Sequence, residues 1–234
     1  MINYLFDVDG TLTPARRKME DEFKAFFGFW TLRQRKKGNK VFLVTGSDRE
    51  KTKSQIGQAI LRTVNGVYQN CGNQLFVRNQ LVKESNWKMP ASLHLDIVNE
   101  LEKSRWYGRA EGNIEERVGM VNISTIGREA TAQQRREYFV WDEVNEERKH
   151  IARSLSFKHR DLDFAIGGEI SIDIYPKGKD KSQVLSDMEG KTVFFGDRCE
   201  QGGNDFSIAA KSNLFYNVSG YKEVETILQR DYTV

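Results

Sequence analysis

Two cysteines, Cys71 and Cys199, are all that this 234-residue chain holds. They form no metal-binding or redox spacing, so free thiols in a reducing cytoplasm are expected. An excess of one charge is also lacking. Lys and Arg number 36 against 33 Asp and Glu, a net charge of +3. That balance excludes binding to nucleic acid by charge alone, although basic residues can still converge locally on an acidic ligand. No apolar run approaches the roughly 18 residues needed to cross a membrane. The N-terminus enters a strand-like segment at once, with no basic stretch leading into a long apolar core. The chain is therefore expected to stay in the cytoplasm, with neither membrane nor nucleic acid as partner. The three histidines, His94, His150 and His159, are scattered and read as surface or helix residues. There is no internal repeat and no low-complexity linker. What remains is a soluble globular composition, 38% hydrophobic and 29% charged. The length fits one large domain or two small ones.

The pattern along the chain is α/β at both ends. INYLFDV (2–8), KVFLVTG (40–46) and VYQN (67–70) are short, apolar and rich in β-formers, as buried strands are. Between them, 15–37 and 48–61 read as helices. Met19, Phe23, Phe26 and Trp30 line the inner face of the first; Ser47 or Asp48 is suited to cap the second. Alternating strands and helices imply a parallel sheet with crossover helices. The middle differs. A hairpin turns at Arg78-Asn79-Gln80, a helix covers 90–106, and VGMVNISTIG (118–127) alternates like an antiparallel strand. A long helix then covers 131–157, and a hairpin over 163–176 turns at Gly167-Gly168. A helix at 180–188, strands at 192–197 and 214–218, and a closing helix at 221–230 return to the first style. An α+β domain at 82–178 is thus expected inside an α/β core made of 1–81 and 179–234.

Polar segments follow the apolar strands, and ligand sites in parallel sheets form beyond the strands' carboxyl ends. Asp7 and Asp9 follow the first strand, Thr45 and Ser47 the second. Asp180-Lys181 opens a helix, and GDRCEQGGND (196–205) follows a late strand. Asp7, Asp9 and Asp197 offer oxygen ligands for a hard cation such as Mg²⁺, which would relieve their mutual repulsion. A hydroxyl, backbone amides and one lysine suit a phosphoryl group. An aspartate can be a covalent nucleophile in phosphoryl transfer, and a second one two residues on can protonate the leaving oxygen.

DxDGT, a hydroxyl after strand two, a lysine and GDxxxxxND, in that order, resemble the haloacid dehalogenase (HAD) superfamily. The resemblance implies an α/β, Rossmann-like parallel-sheet core with an inserted α+β cap of type C2b. It makes Asp7 the nucleophile and Asp9 the general acid/base, whose backbone carbonyl also serves Mg²⁺. Thr45 or Ser47 would bind the phosphoryl group and Lys181 would neutralise it. Asp197 would ligate the metal, with Asn204 and Asp205 supporting its shell. LFDVDGTLTPAR (5–16), ERVGMVNISTIGR (116–128), IGGEISIDIYPKGKDK (166–181) and FFGDRCEQGGND (194–205) further resemble the eukaryotic-type phosphomannomutase family. The resemblance covers nearly the whole chain. It implies that Arg117, Arg128 and Arg135 hold the substrate's distal phosphate, helped by Arg16. Ser171 and Asp173 would bond sugar hydroxyls, and Asn122 would line the same cleft. Guanidinium forks match phosphate oxygens in pairs, as lysine cannot.

The chain departs from the family pattern at several places. Thr125 stands where the family has proline, and Thr45-Gly46-Ser47-Asp48 replaces a Gly-Gly-Ser-Asp. YQNCGN (68–73) lacks a glutamate, Tyr175 replaces a phenylalanine, and Arg198-Cys199 stand for Lys-Thr. The implied activity is interconversion of mannose 1- and 6-phosphates, feeding GDP-mannose synthesis. It would use Mg²⁺ and a hexose 1,6-bisphosphate activator, with a hexose monophosphate as substrate and a homodimer formed through the cap. A phosphatase with the same nucleophile is the alternative, and a silent sugar-phosphate-binding protein is a third reading.

Overall fold

A computed structural model describes residues 1–15 and 17–232. It divides into two compact units, Met1–Glu84 with Lys179–Gln201 and Asp205–Val234, and Ser85–Gly178 with Gly202–Asn204. The first boundary falls at Glu84, three residues later than the expected Leu81. The reason is that the outer hairpin strand runs through to Glu84 and stays hydrogen-bonded to its sheet.

The first unit is a seven-stranded sheet. Its strands are β1 (Ile2–Phe6), β2 (Lys40–Val44), β3 (Gly66–Gln69), β4 (Gln74–Val77), β5 (Gln80–Glu84), β10 (Lys191–Gly196) and β11 (Leu214–Asn217), in the order β11-β10-β1-β2-β3-β4-β5. The first five in that order are parallel and the β4–β5 hairpin is antiparallel. Arg78 and Asn79, both at positive φ, form the hairpin turn, the backbone that two-residue hairpins favour. Both faces of the central strands are buried, which is why they are apolar throughout rather than alternating. Tyr4, Phe6, Val193 and Phe195 face one cluster, with Phe27 and Trp30; Leu5, Val44, Phe194 and Ile208 face the other. In register across three strands, Phe6 stacks on Phe195 at 4.7 Å and Phe195 on Tyr216 at 4.9 Å. The fully buried rings of Phe6 and Phe195 each contribute roughly 1.5–3 kcal/mol.

Helix α1 spans Asp21–Lys36, starting later than expected. Its inward stripe is Phe23, Phe27 and Trp30; Phe26, assigned to that stripe from sequence, is only half-buried. The helix expected over 48–61 is two, α2 (Arg49–Ile56) and α3 (Gln58–Thr63), broken at Gly57. Asp48 caps α2 by accepting from the Lys51 amide. The expected helix at 180–188 is a 3₁₀ segment, Lys181–Asp187, capped by Asp180.

The second unit is a four-stranded antiparallel sheet of β6 (Ile114–Arg117), β7 (Met120–Ser124), β8 (Leu162–Gly167) and β9 (Ser171–Pro176), ordered β6-β7-β9-β8. Three helices accompany it: α4 (Ala91–Glu102), α5 (Ala132–Asn145) and α6 (Glu147–Lys158). The single helix expected over 131–157 is interrupted at Glu146, whose φ of 52° is left-handed. Strand β6 is an addition to the sequence reading. Alternation divides the sheet sharply. Val121, Ile123, Ile172 and Ile174 pack with Leu93, Ile97, Ile151 and Leu155 of α4 and α6. The residues between them make a polar face, in which Glu115, Asn122 and Asp173 form one cross-strand row and Ser124 pairs with Ser171 in another. Trp106, Tyr138 and Trp141 pack on one another within this unit. His159, read from sequence as a surface or helix residue, has Nε2 at 3.0 Å from Asp96. In the first unit, α7 (Phe206–Lys211) was not anticipated, and α8 (Tyr221–Asp231) closes the chain.

Candidate active site

Asp7 directly follows β1, Asp197 directly follows β10, and Asp205 precedes α7. Oxygens of all three carboxylates lie within 4.8 Å of one another. Lys181, at the start of the 3₁₀ segment, donates to Asp7 Oδ1 at 2.5 Å and Asp205 Oδ1 at 2.6 Å, with its side chain 1% exposed. Thr11 Oγ1 donates to the other oxygen of Asp7 at 3.2 Å. The turn that brings Asp9 past Asp7 is tight: the amides of Thr11, Leu12 and Thr13 all point at the Val8 carbonyl. Gly10 is required there. Its φ is +86°, and a Cβ would stand 2.2 Å from Asp197 Oδ2.

Three carboxylates against one ammonium leave a deficit of positive charge in a buried place. Burial pushes the Asp7 carboxyl well above the ordinary carboxylate range; Lys181 opposes this, while Asp205 and Asp197 add to it. Burial, then the Asp205 charge, pushes Asp197 up to about 6. Burial alone would lower Lys181, yet Asp205 and Asp7 hold it well above its ordinary value, so it stays an ammonium. Cys199 is pushed up to about 12 by burial and by Asp205, which keeps it a thiol. An all-oxygen donor set with excess negative charge fits a hard divalent cation.

Asp9 is held by different residues. Ser47 ends the loop after β2, and Lys51 and Gln55 follow on α2 at spacings of four, which aligns them on one face. Ser47 Oγ donates to Asp9 Oδ2 at 3.0 Å, Lys51 Nζ to the same oxygen at 2.6 Å, and Gln55 Nε2 to Oδ1 at 2.8 Å. Of the two candidate hydroxyls, Ser47 therefore faces the aspartates. Thr45 Oγ1, buried behind the loop, accepts from the Ser47 amide at 3.0 Å. The loop after β3 braces this turn: Asn70 and Cys71, both at positive φ, donate their amides to the carbonyls of Ser47 and Thr45. Consecutive strained residues of this kind gather at functional sites.

On the polar face of the second unit, Arg117 forks onto Glu115, with Nε at 2.9 Å from Oε1 and Nη2 at 2.8 Å from Oε2. Arg128 Nη2 reaches the same Oε2 at 3.1 Å. Asn122 Nδ2 donates to Asp173 at 2.5 Å. The buried Asn122 Oδ1 and Ser124 Oγ have no hydrogen-bond partner among the described residues. Arg135 is buried, and its guanidinium donates to the carbonyls of Ala130 and Arg128, so it fixes the turn that carries Arg128. Gly127 in that turn has φ +87°, and a Cβ there would lie 2.2 Å from the Ala110 carbonyl oxygen.

Of the residues picked from sequence, Asp7, Asp197, Asp205 and Lys181 converge, with Asp9, Ser47 and Thr45 beside them in the same unit. Arg117, Asn122, Arg128, Ser171 and Asp173 belong to the second unit, as does Asn204. Arg16 lies outside the described residues. Lys51, Gln55 and Glu115 escaped the sequence reading. Their signals were present: Ser-x3-Lys-x3-Gln at helical spacing, and Glu115 two residues before Arg117 on a strand.

Residues 29–231 match the eukaryotic phosphomannomutase family. The chain belongs to that family. It is 36% identical over 222 residues to a phosphomannomutase of Arabidopsis thaliana, covering 87% of this chain and 85% of the relative. To a phosphomannomutase of Babesia bovis it is 31% identical over 241 residues, covering 96% and 95%. Among solved structures, the HAD subclass IIB sugar phosphatase BT4131 superposes with a TM-score of 0.62 at 14% identity, covering 98% of both chains. The fold of this phosphomannomutase-family member is thus that of the HAD superfamily. Among the described residues no helix is long and apolar enough to cross a membrane.

Proposed function

We propose that this chain interconverts mannose 6-phosphate and mannose 1-phosphate through an aspartyl phosphate on Asp7 and a hexose 1,6-bisphosphate. Asp7 attacks phosphorus of the bisphosphate, and the phosphorus–oxygen bond to the sugar breaks. Asp9 gives a proton to the departing sugar oxygen. In the return step Asp9 takes the proton from a hydroxyl of the bound monophosphate, whose oxygen attacks the acyl phosphate and frees the Asp7 carboxylate. Lys181, an ammonium in this setting, offsets charge on the phosphoryl oxygens, and Ser47 donates to one of them. Asp7, Asp197 and Asp205, with the Asp9 carbonyl, would hold Mg²⁺, which when bound neutralises phosphoryl charge and aligns the transferring group. Asn204 supports that metal shell. Arg117 and Arg128 bind the phosphate that is not being transferred, with Arg16 assisting and Arg135 holding Arg128 in place. Ser171, Asp173 and Asn122 bond sugar hydroxyls, for which the orphan Asn122 Oδ1 is a ready acceptor.

The observation that carries this reading is the buried Asp7–Lys181–Asp205 cluster in a chain of this family. The test is to incubate the protein with mannose 1-phosphate, Mg²⁺ and a hexose 1,6-bisphosphate. Mannose 6-phosphate as main product, lost in Asp7→Asn, is expected. The likeness in fold to a sugar phosphatase favours a second reading, hydrolysis on the same nucleophile, and free phosphate as main product would establish it instead. A homodimer formed through the second unit, where Val140 and Val144 of α5 are exposed, is part of the same proposal and is read by sedimentation.

A further inference from the structure

Glu115 stands where an anion would stand. Its carboxylate takes both the Nε and the Nη2 of Arg117 and shares one oxygen with Arg128 Nη2. A guanidinium edge forked onto a carboxylate uses the N–H groups that it would turn towards two phosphate oxygens. Glu115 and a phosphate are therefore rivals for one set of donors. The three side chains are 34% (Glu115), 13% (Arg117) and 22% (Arg128) exposed, so solvent and small anions reach the group. The other carboxylate in the same cross-strand row, Asp173, is engaged by Asn122 at 2.5 Å.

We propose that Glu115 is a built-in competitor that sets how tightly Arg117 and Arg128 grip a phosphate. The inference rests on the reading above, that these arginines take the phosphate not being transferred. In such a cycle each phosphate of the bisphosphate has to leave the arginines once per turnover. Two uncompensated guanidiniums on a dianion would make that departure slow. With Glu115 in reach, the released arginines find a carboxylate waiting, and the net charge facing the phosphate is +1 rather than +2. Glu115 is a positioning residue in this scheme, acting through the two arginines and not on the reacting atoms.

Glu115→Gln keeps the size of the side chain and removes the charge. The expected result is a split. KM for mannose 1-phosphate and the inhibition constant of inorganic phosphate fall by about tenfold, the effect of roughly one charge-assisted pair. At the same time kcat falls because release becomes limiting. Glu115→Asp, which retains charge but shortens the reach, is expected to shift both constants in the same direction by less, and it decides the matter if Glu115→Gln does not fold. Unchanged or raised KM in a folded variant would overturn the proposal, leaving Glu115 a mere aligner of the arginines. Arg117→Ala separates the two ideas. If it raises KM while Glu115→Gln fails to lower it, only the competitor is refuted; if Arg117→Ala leaves KM alone, the phosphate role of the arginines falls first.

Discussion

Withdrawing divalent cations at different pH values probes the carboxylate cluster directly. In the metal-free fold Asp197 titrates at about 6, against an ordinary 3.8. The folded chain thus binds this proton more tightly than the unfolded chain does. The group's contribution to stability is complete below pH 3.8 and is lost as pH rises to about 6; Asp7 is shifted in the same sense. The displacement of Asp197 corresponds to roughly 3 kcal/mol of destabilisation at neutral pH, an upper figure because solvent screens a half-buried group. At about 2–4 °C per kcal/mol for a chain of this size, relieving it fully would raise Tm by about 6–12 °C. Mg²⁺ at pH 7.5 meets an ionised Asp197. At pH 5 it has first to displace a proton, a tenfold loss of affinity worth about 1.4 kcal/mol. The Tm increment at one fixed Mg²⁺ concentration should therefore shrink by about 3–6 °C between pH 7.5 and 5. Thermal unfolding with Mg²⁺ or with chelator, in phosphate-free buffers, reads both quantities. Asp197→Asn should abolish most of the increment and stabilise the metal-free protein at pH 7.5. An increment that is absent at pH 7.5, or equal at the two pH values, would refute the assignment of this cluster to a cation.

The two hydroxyls after β2 should separate in their effects. Ser47→Ala is expected to lower kcat by about 10²-fold with Tm nearly unchanged, whereas Thr45→Ala should cost about 1 kcal/mol of stability by orphaning the Ser47 amide; steady-state kinetics beside denaturant unfolding tells them apart, and a reversed pattern would exchange their roles. Gly127→Ala should destabilise the protein by about 2–4 kcal/mol, from the left-handed backbone and the collision with the Ala110 carbonyl, and a loss under about 1 kcal/mol in denaturant titration would contradict the crowding described at that turn.

The parallel strands were legible because a sheet covered on both faces needs apolar runs, and INYLF, KVFLV and TVFFG have them. Asp7 and Asp197 were legible because each directly follows such a run, whereas Asp205 was implied only by the resemblance of GDRCEQGGND to a family motif. Strand β6 was harder to see: IEER puts charged residues on both faces, so no alternation shows, and it is only four residues long. The break at Glu146 had no signal in residue type, since glutamate does not favour the left-handed region. The choice between Thr45 and Ser47 needed coordinates, because both lie in one loop and only the direction of each hydroxyl differs. Arg135 illustrates the limit of counting charges. The resemblance implies a guanidinium aimed at a phosphate, yet Arg135 shares the buried face of α5 with Tyr138 and Asp142, and the backbone carbonyls of Ala130 and Arg128 absorb its guanidinium.

The order of strands in the larger sheet has a consequence for biosynthesis. Strand β1 is translated well before one of its two neighbours, β10, which is encoded some 190 residues later. The Tyr232 ring, encoded later still, packs edge-on against Tyr4. The intervening Ser85–Gly178 segment carries its own apolar cluster and is translated in one piece. A nascent chain arrested once Gly178, but not yet β10, has cleared the ribosomal exit tunnel should hold this segment protease-resistant while the opening strand still awaits its partner. During that interval the edge of β1 that β10 will cover is exposed, which makes the unfinished chain, rather than the finished one, the species most in need of a chaperone.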